Sequence, residues 1–283
     1  MTDNKINCPI KLNLTLFVTN KRPNGYHNLI SVFYKKNAPE LLTIKENNCK
    51  MSADTLSVKN AIINGENLIT KVLNFARQKS PTLPHFDITL KKFFPTGSGI
   101  GAGSGNAAAL LDFLATNYGL DFSLEALATL GADIPFLAQH SPLALVRGVG
   151  EIVEPLDTDL QLSALLLFPD WQINTAEAYR KIDAAKKNTI VTDKELVARS
   201  LEIISLLQAK KQVGLLPNDF WQIAREHHSE YDILAREASI DSMAYGLSGS
   251  GSCFFALFDS NQSAISALNH FKKYKFITKG QVI

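Results

Sequence analysis

The chain has 283 residues, a hydrophobic fraction of 46% and a formal net charge of +2. That length suits two modest domains or one large one, and the near-neutral balance gives no electrostatic case for nucleic acid or an anionic membrane as partner. Cys8, Cys49 and Cys253 are too widely spaced for a disulfide framework or a zinc site and read as reduced thiols; residues 1–7 lack the apolar core of a signal peptide, and the most apolar run, 160–168, is about half a bilayer span, so a soluble cytoplasmic protein is expected.

Residues 6–18 put Ile6, Ile10, Leu12, Leu14, Leu16 and Val18 on one face and Lys11, Asn13 and Thr15 on the other. That is the period of a strand with a polar face. Asn24-Gly25 marks a turn, and 29–34 returns as a strand. Short strands are expected at 41–45 and 55–58, and the spacing of Leu68, Ile69, Val72, Leu73 and Ala76 predicts a helix over 66–79. Residues 86–93 alternate again and lead into Pro95, Thr96, Gly97, Ser98, Gly99, Ile100, Gly101, Ala102, Gly103, Ser104 and Gly105, followed by an alanine-rich helix over 106–118. A glycine-rich stretch feeding a helix N-terminus offers open N–H groups and the positive end of a dipole, which suits phosphate.

A second helix is expected over 123–130 with Ser123 as its cap, then Leu-Gly-Ala-Asp-Ile-Pro-Phe at 130–136 and strands at 143–147 and 151–154. The organisation changes near Glu154-Pro155, which sets the expected domains at 1–155 and 156–283. Beyond lie a strand at 163–168, helices over 175–182, 193–209 and 220–238, a second glycine-serine loop at 245–252, a strand at 253–258, a helix over 263–273 and a strand at 276–283.

No lysine lies between Pro95 and Asp112, which excludes a Walker A loop. A relaxed dinucleotide fingerprint fits Gly97, Gly99 and Ala102, but the alternating segment before it and the missing βαβ opening argue against that fold. Protein-kinase elements are absent as well. Phosphoryl transfer needs a cation and usually a group to take the hydroxyl proton, so both must come from elsewhere in the chain. Lys11, on a strand heading for the core, and Asp133, in an apolar setting, are the candidates. Taken singly, an edge-strand lysine and a turn or helix-capping aspartate are the plainer readings.

Four stretches in order resolve this. Pro95 to Ala109 resembles the nucleotide loop of the GHMP kinases, named for galactose, homoserine, mevalonate and phosphomevalonate. Pro-Ile-Lys-Leu-Asn-Leu (9–14) with Lys-Arg-Pro-Asn-Gly-Tyr-His (21–27), the 130–136 aspartate motif, and Leu-Ser-Gly-Ser-Gly-Ser-Cys-Phe-Phe (247–255) resemble the branch of that family acting on a cytidine-diphosphate-linked methylerythritol. The resemblance implies an α+β GHMP fold of two domains with the active site in the cleft between them. It implies ATP as co-substrate with Mg²⁺, and a step of non-mevalonate isoprenoid synthesis. It makes Asp133 the base and Lys11 its partner, and wraps the ATP phosphates with main chain from 97–105, Ser104 standing near the metal. Asn13 is implied to contact the sugar alcohol, and Tyr26 and His27 to read cytosine. Thr175, Tyr179 and Arg180 are implied at the base, and Gly249, Ser250 and Gly251 at the diphosphate. Gly105 departs from the family, which usually has a second serine there, and 124–131 is about one helical turn short.

Two rivals stay in the family: a kinase for another small alcohol, against which Tyr26-His27 argues, and a non-catalytic ligand-binding relative, against which Lys11 and Asp133 argue. A third, an RNA-binding protein on a ribosomal-type fold, is disfavoured by the charge.

Overall fold

The alternation that starts the chain builds β1 (Asn4–Lys21), and Asn24 and Gly25 turn it back into β2 (His27–Asn47), with Gly25 at a φ of +87°. The remaining elements are β3 (Thr55–Lys59), α1 (Leu68–Lys79), β4 (His85–Lys91), α2 (Ala102–Tyr118), α3 (Leu124–Leu130), α4 (Ile134–Leu137), β5 (Leu143–Gly148), β6 (Ile152–Pro155), β7 (Ser163–Pro169), α5 (Thr175–Ala185), α6 (Asp193–Gln208), β8 (Gly214–Leu215), α7 (Trp221–His227), α8 (Glu230–Asp241), β9 (Ala244–Leu247), β10 (Phe254–Phe258), α9 (Asn261–Phe271) and β11 (Ile277–Val282). This computed structural model describes residues 4–47, 53–62, 65–185 and 191–283; Cys49 lies outside them. No helix among the described residues is long and apolar enough to cross a membrane.

The chain divides into two compact units, and it passes between them repeatedly. Unit 1 is Met1–Ile10, Lys35–Thr96 and Gly101–His140; unit 2 is Lys11–Tyr34, Gly97–Ile100 and Ser141–Ile283. In unit 1, β4 runs antiparallel to the second half of β2 (Leu41↔Lys91 to Asn47↔His85) and parallel to β3 (Thr55↔Asp87 to Lys59↔Lys91). The apolar stripes of α1 and α2 close its core around Leu42, Ile44, Val72, Phe86, Ile88 and Leu110. In unit 2, the first half of β2 pairs with β5, and β5 with β6. A second sheet in the order β11-β7-β10-β9-β8 carries a core of Leu165, Leu167, Phe220, Tyr231, Phe254 and Phe258. Both halves mix strands and helices in the α+β manner.

Several elements differ from the pattern-based expectation. The strands expected at 29–34 and 41–45 are one strand, since Glu40 is fully buried yet satisfied and needs no loop to reach water. The helix expected over 220–238 is two. Its break falls at His228, whose backbone is extended (φ −141°, ψ 96°), in a His-His-Ser run of weak helix formers. The helix expected from 106 starts at Ala102, because Gly101 takes a left-handed φ of +65° and the Gly105 amide already bonds back to the Gly101 carbonyl at 2.8 Å. The short β8 was not foreseen; two residues carry no periodicity.

Candidate active site

Lys11 reaches the site through the strand period. It follows an apolar neighbour on β1, so its side chain turns to the face shared with Asn13 and Thr15. That face is buried, with Lys11 4% exposed, which sets aside an edge-strand lysine reaching into water. Lys11 Nζ donates to Asn13 Oδ1 at 2.7 Å and stands 4.8 Å from the centroid of the Phe33 ring, a cation–π distance. Asn13 Oδ1 also accepts from the Gly249 amide at 2.8 Å, and Asn13 Nδ2 donates to Ser31 Oγ at 2.9 Å. One amide side chain thus ties the lysine to the second glycine loop.

The two glycine-rich stretches meet within unit 2. The Cys253 amide donates to the Ser98 carbonyl at 3.0 Å, and the Lys11 amide to the Ile100 carbonyl at 3.0 Å. Ser248 Oγ donates to the Gly99 carbonyl at 3.1 Å. The approach is too close for side chains: a Cβ on Gly99, at φ +83°, would run into the Ser248 carbonyl oxygen and come 2.9 Å from that of Gly251. Asn218 steadies the second loop by donating to the carbonyls of Leu247 (2.8 Å) and Gly249 (3.0 Å). Ser250 Oγ lies 2.8 Å from Thr175 Oγ1 at the start of α5.

In unit 1 the stretch continues as the first turn of α2, so Gly103, Ser104 and Gly105 are helical. That turn has no acidic residue to compete with an anion for the helix N-terminus. Gly105 packs directly on β1; a Cβ there would fall onto the Pro9 carbonyl oxygen and come 2.8 Å from its carbon. The loop's footing is a buried network: Lys92 Nζ donates to Glu40 Oε2 (2.7 Å) and Asn106 Oδ1 (3.1 Å), Asn106 Nδ2 to Glu40 Oε2 (2.7 Å), and the amides of Phe93 and Phe94 to Glu40 Oε1 (3.1 and 3.0 Å). Glu40 therefore holds the chain on both sides of 95–105. The same burial pushes the neighbouring Cys8 thiol up to about 11.

Asp133 is half-buried in the turn immediately before α4, as the plainer reading had it, but its side chain makes no capping bond to that helix. A Cβ on Gly131 would lie 3.7 Å from Ser104 Oγ, so the aspartate motif and the glycine helix lie against each other. Among the described residues no cluster of His, Cys, Asp or Glu could hold a metal by itself. The Ser104 hydroxyl and the Asp133 carboxylate, both of unit 1, are nonetheless the hard oxygen donors that suit a Mg²⁺ arriving with phosphates, which keeps most of its other ligands as water and phosphate oxygen.

Elsewhere in unit 2, His27 is buried while Tyr26 is 67% exposed. Tyr179 stacks on His27, and Arg180 is exposed. Sequence reasoning missed Ser31, Ser248, Asn218, Glu40, Lys92 and Asp183. A signal existed for Asp183 alone: it follows Tyr179 by four residues on a helix, so the two share a face.

Two family models match this chain, the GHMP kinases N terminal domain at residues 67–142 and the GHMP kinases C terminal at residues 192–276. The chain belongs to the GHMP kinase family and is an ATP-dependent phosphotransferase. It is 33% identical over 263 residues to the 4-diphosphocytidyl-2-C-methyl-D-erythritol kinase of Prosthecochloris aestuarii, covering 90% of this chain and 88% of that one. A crystal structure of 4-(cytidine 5'-diphospho)-2C-methyl-D-erythritol kinase superposes with a TM-score of 0.79 at 26% identity, over 99% of this chain and 98% of the other. Homoserine kinase from Cytophaga hutchinsonii shares the fold, with a TM-score of 0.61 at 19% identity over 100% and 98%.

Proposed function

We propose that the protein transfers the terminal phosphoryl group of ATP to the 2-hydroxyl of 4-diphosphocytidyl-2-C-methyl-D-erythritol, in the cytoplasm, as a step of non-mevalonate isoprenoid synthesis. The observation that carries this reading is the convergence of both glycine stretches on a buried Lys11 through Asn13 and Ser248. Residues 1–155 are assigned the ATP side and 156–283 the substrate side.

The hydroxyl oxygen attacks the terminal phosphorus, its proton passes to the Asp133 carboxylate, and ADP leaves with the bridging electrons. Lys11 supplies fixed positive charge for the anion that develops, and its bond to Asn13 holds it in place. Asn13 also orients the sugar alcohol. Main-chain groups of 97–105 and the N-terminus of α2 receive the phosphates, and Ser104 would offer its hydroxyl to a Mg²⁺ bound with them. Charge neutralisation by a Mg²⁺ bound with ATP is the contribution this chain does not supply. Tyr26 and His27 read the cytosine with Thr175, Tyr179 and Arg180, and Gly249, Ser250 and Gly251 line the diphosphate end.

The test is turnover of the purified protein with ATP, Mg²⁺ and a panel of alcohols. Phosphorylation of the cytidyl substrate is expected; phosphorylation of homoserine or mevalonate instead would overturn the assignment. Asp133→Ala should lower kcat by about 10²–10⁴-fold, the range of general-base contributions, with ATP affinity nearly unchanged. Near-normal turnover in that variant would remove the proposed base.

A further inference from the structure

The His27 imidazole is held by two neighbours from one helix. Tyr179 stacks on it, with ring centroids 4.8 Å apart and planes 17° from parallel, and Asp183 Oδ1 lies 2.6 Å from its Nε2. Both neighbours come from one face of α5. Lys21 Nζ donates to the second oxygen of Asp183 at 2.8 Å. The hydrogen bonds from Lys21 and His27 hold the Asp183 carboxyl below its ordinary range, so at neutral pH it is an acceptor only.

An acceptor facing Nε2 requires the proton there. In a neutral imidazole the other nitrogen, Nδ1, then carries a lone pair. Nδ1 makes no hydrogen bond to any described residue, so that lone pair is left for something outside the protein. Cytosine presents a 4-amino donor; uracil presents a 4-keto acceptor in the same place. A fixed lone pair accepts from the first and repels the second, which is discrimination by an opposed group as well as by a matched one.

We propose that Asp183 is a positioning residue that sets base specificity: by fixing the Nε2-protonated tautomer of His27 it leaves Nδ1 to accept from the 4-amino group of cytosine, and so favours cytidine over uridine diphosphates. The inference rests on the reading that the acceptor substrate carries a cytidyl group. Lys21 has a part in it, since its charge on the second oxygen keeps the carboxylate ionised and in register with the ring.

The experiment measures binding of CDP and of UDP to the full-length protein, its Asp183→Ala variant and its Asp183→Glu variant, alongside the ¹⁵N spectrum of the His27 imidazole. The Asp183 side chain is 31% exposed, so the variants should fold, and a thermal melt checks this. Wild type is expected to prefer CDP. Asp183→Ala should lower CDP affinity about tenfold, the loss of one oriented hydrogen bond, with UDP affinity held or improved. Its spectrum should show mixed tautomers where the wild type shows a bare Nδ1, and Asp183→Glu should restore both. A simple packing role would shift the melt and leave the CDP-to-UDP ratio alone. An unchanged ratio in Asp183→Ala, or a protonated Nδ1 in the wild type, overturns the inference. Wild type that binds CDP no better than UDP while phosphorylating another alcohol overturns the cytidyl reading and takes the inference with it.

Discussion

At position 105 the family's usual serine has no room, because β1 passes with the Pro9 carbonyl where the Cβ would be. The obstacle is backbone, which cannot swing aside as a side-chain tip could. Gly105→Ser should therefore cost about 1–3 kcal/mol, the usual range for overpacking, read as a lower denaturation midpoint with an unchanged m-value. A variant as stable as the parent would mean that β1 yields freely. Gly105 is thus explained by packing, and the first-turn hydroxyl that remains is Ser104. The sequence alone could place Lys11 and Asn13 on one face, since period two is a local property. It could not find Ser31 or Ser248, which reach Asn13 and Gly99 only because β2 and the loop after β9 fold back upon them.

Between α8 and α9 the structure has a charged clasp that no periodicity announces. Glu237 on α8 accepts from His270 on α9 and pairs with Lys273 just beyond it. The hydrogen bond from His270, opposed by burial and aided by Tyr274 and Lys273, holds the Glu237 carboxyl at about 2 against an ordinary 4.5. A carboxyl lowered by folding stabilises the fold above its unfolded pKa, and that contribution fades as the pH falls through the folded one. Stability should accordingly decline between pH 4.5 and about 2 with a share owed to this clasp. Glu237→Gln should flatten that limb in a series of denaturation midpoints; an identical acid limb would exclude the clasp as its source. The helices themselves were readable because each buries an apolar stripe. The break at His228 was not, since Ile223, Ala224, Tyr231 and Leu234 continue into one buried core across it, and a core-facing pattern does not show whether the backbone between is helical.

Over the whole molecule, the two compact units are interleaved in sequence. Unit 2 takes in Lys11–Tyr34 and Gly97–Ile100 besides everything from Ser141 onward. Those early residues are structural: the Leu16 amide donates to the Pro217 carbonyl at 2.9 Å, the Asp219 amide to the Leu16 carbonyl at 3.0 Å, and the Cys253 amide to the Ser98 carbonyl at 3.0 Å. A fragment of residues 156–283 should hence lack fixed tertiary structure, shown by a weak near-ultraviolet dichroism signal and collapsed amide dispersion; cooperative unfolding of that fragment would refute this. The family and its kinase class were visible in four short motifs. The interleaving was not, because nothing in composition near a crossing such as 34–35 distinguishes one unit from the other. β1 also has a history that the finished fold conceals. Its partners near 217–219 lie some two hundred residues downstream, which at a ribosome's pace is roughly 10–40 s of waiting. A hairpin closes in about 1–10 μs, so β1 and β2, joined by their short turn, can pair at once and spend that interval covering each other's backbone edges while the apolar face of Leu16 and Val18, which ends in a core with Phe220 and Tyr231, stays bare. During synthesis the nascent chain thus presents a sticky hairpin for tens of seconds, and its yield in the cell should depend on what shields that face until the last third of the chain arrives.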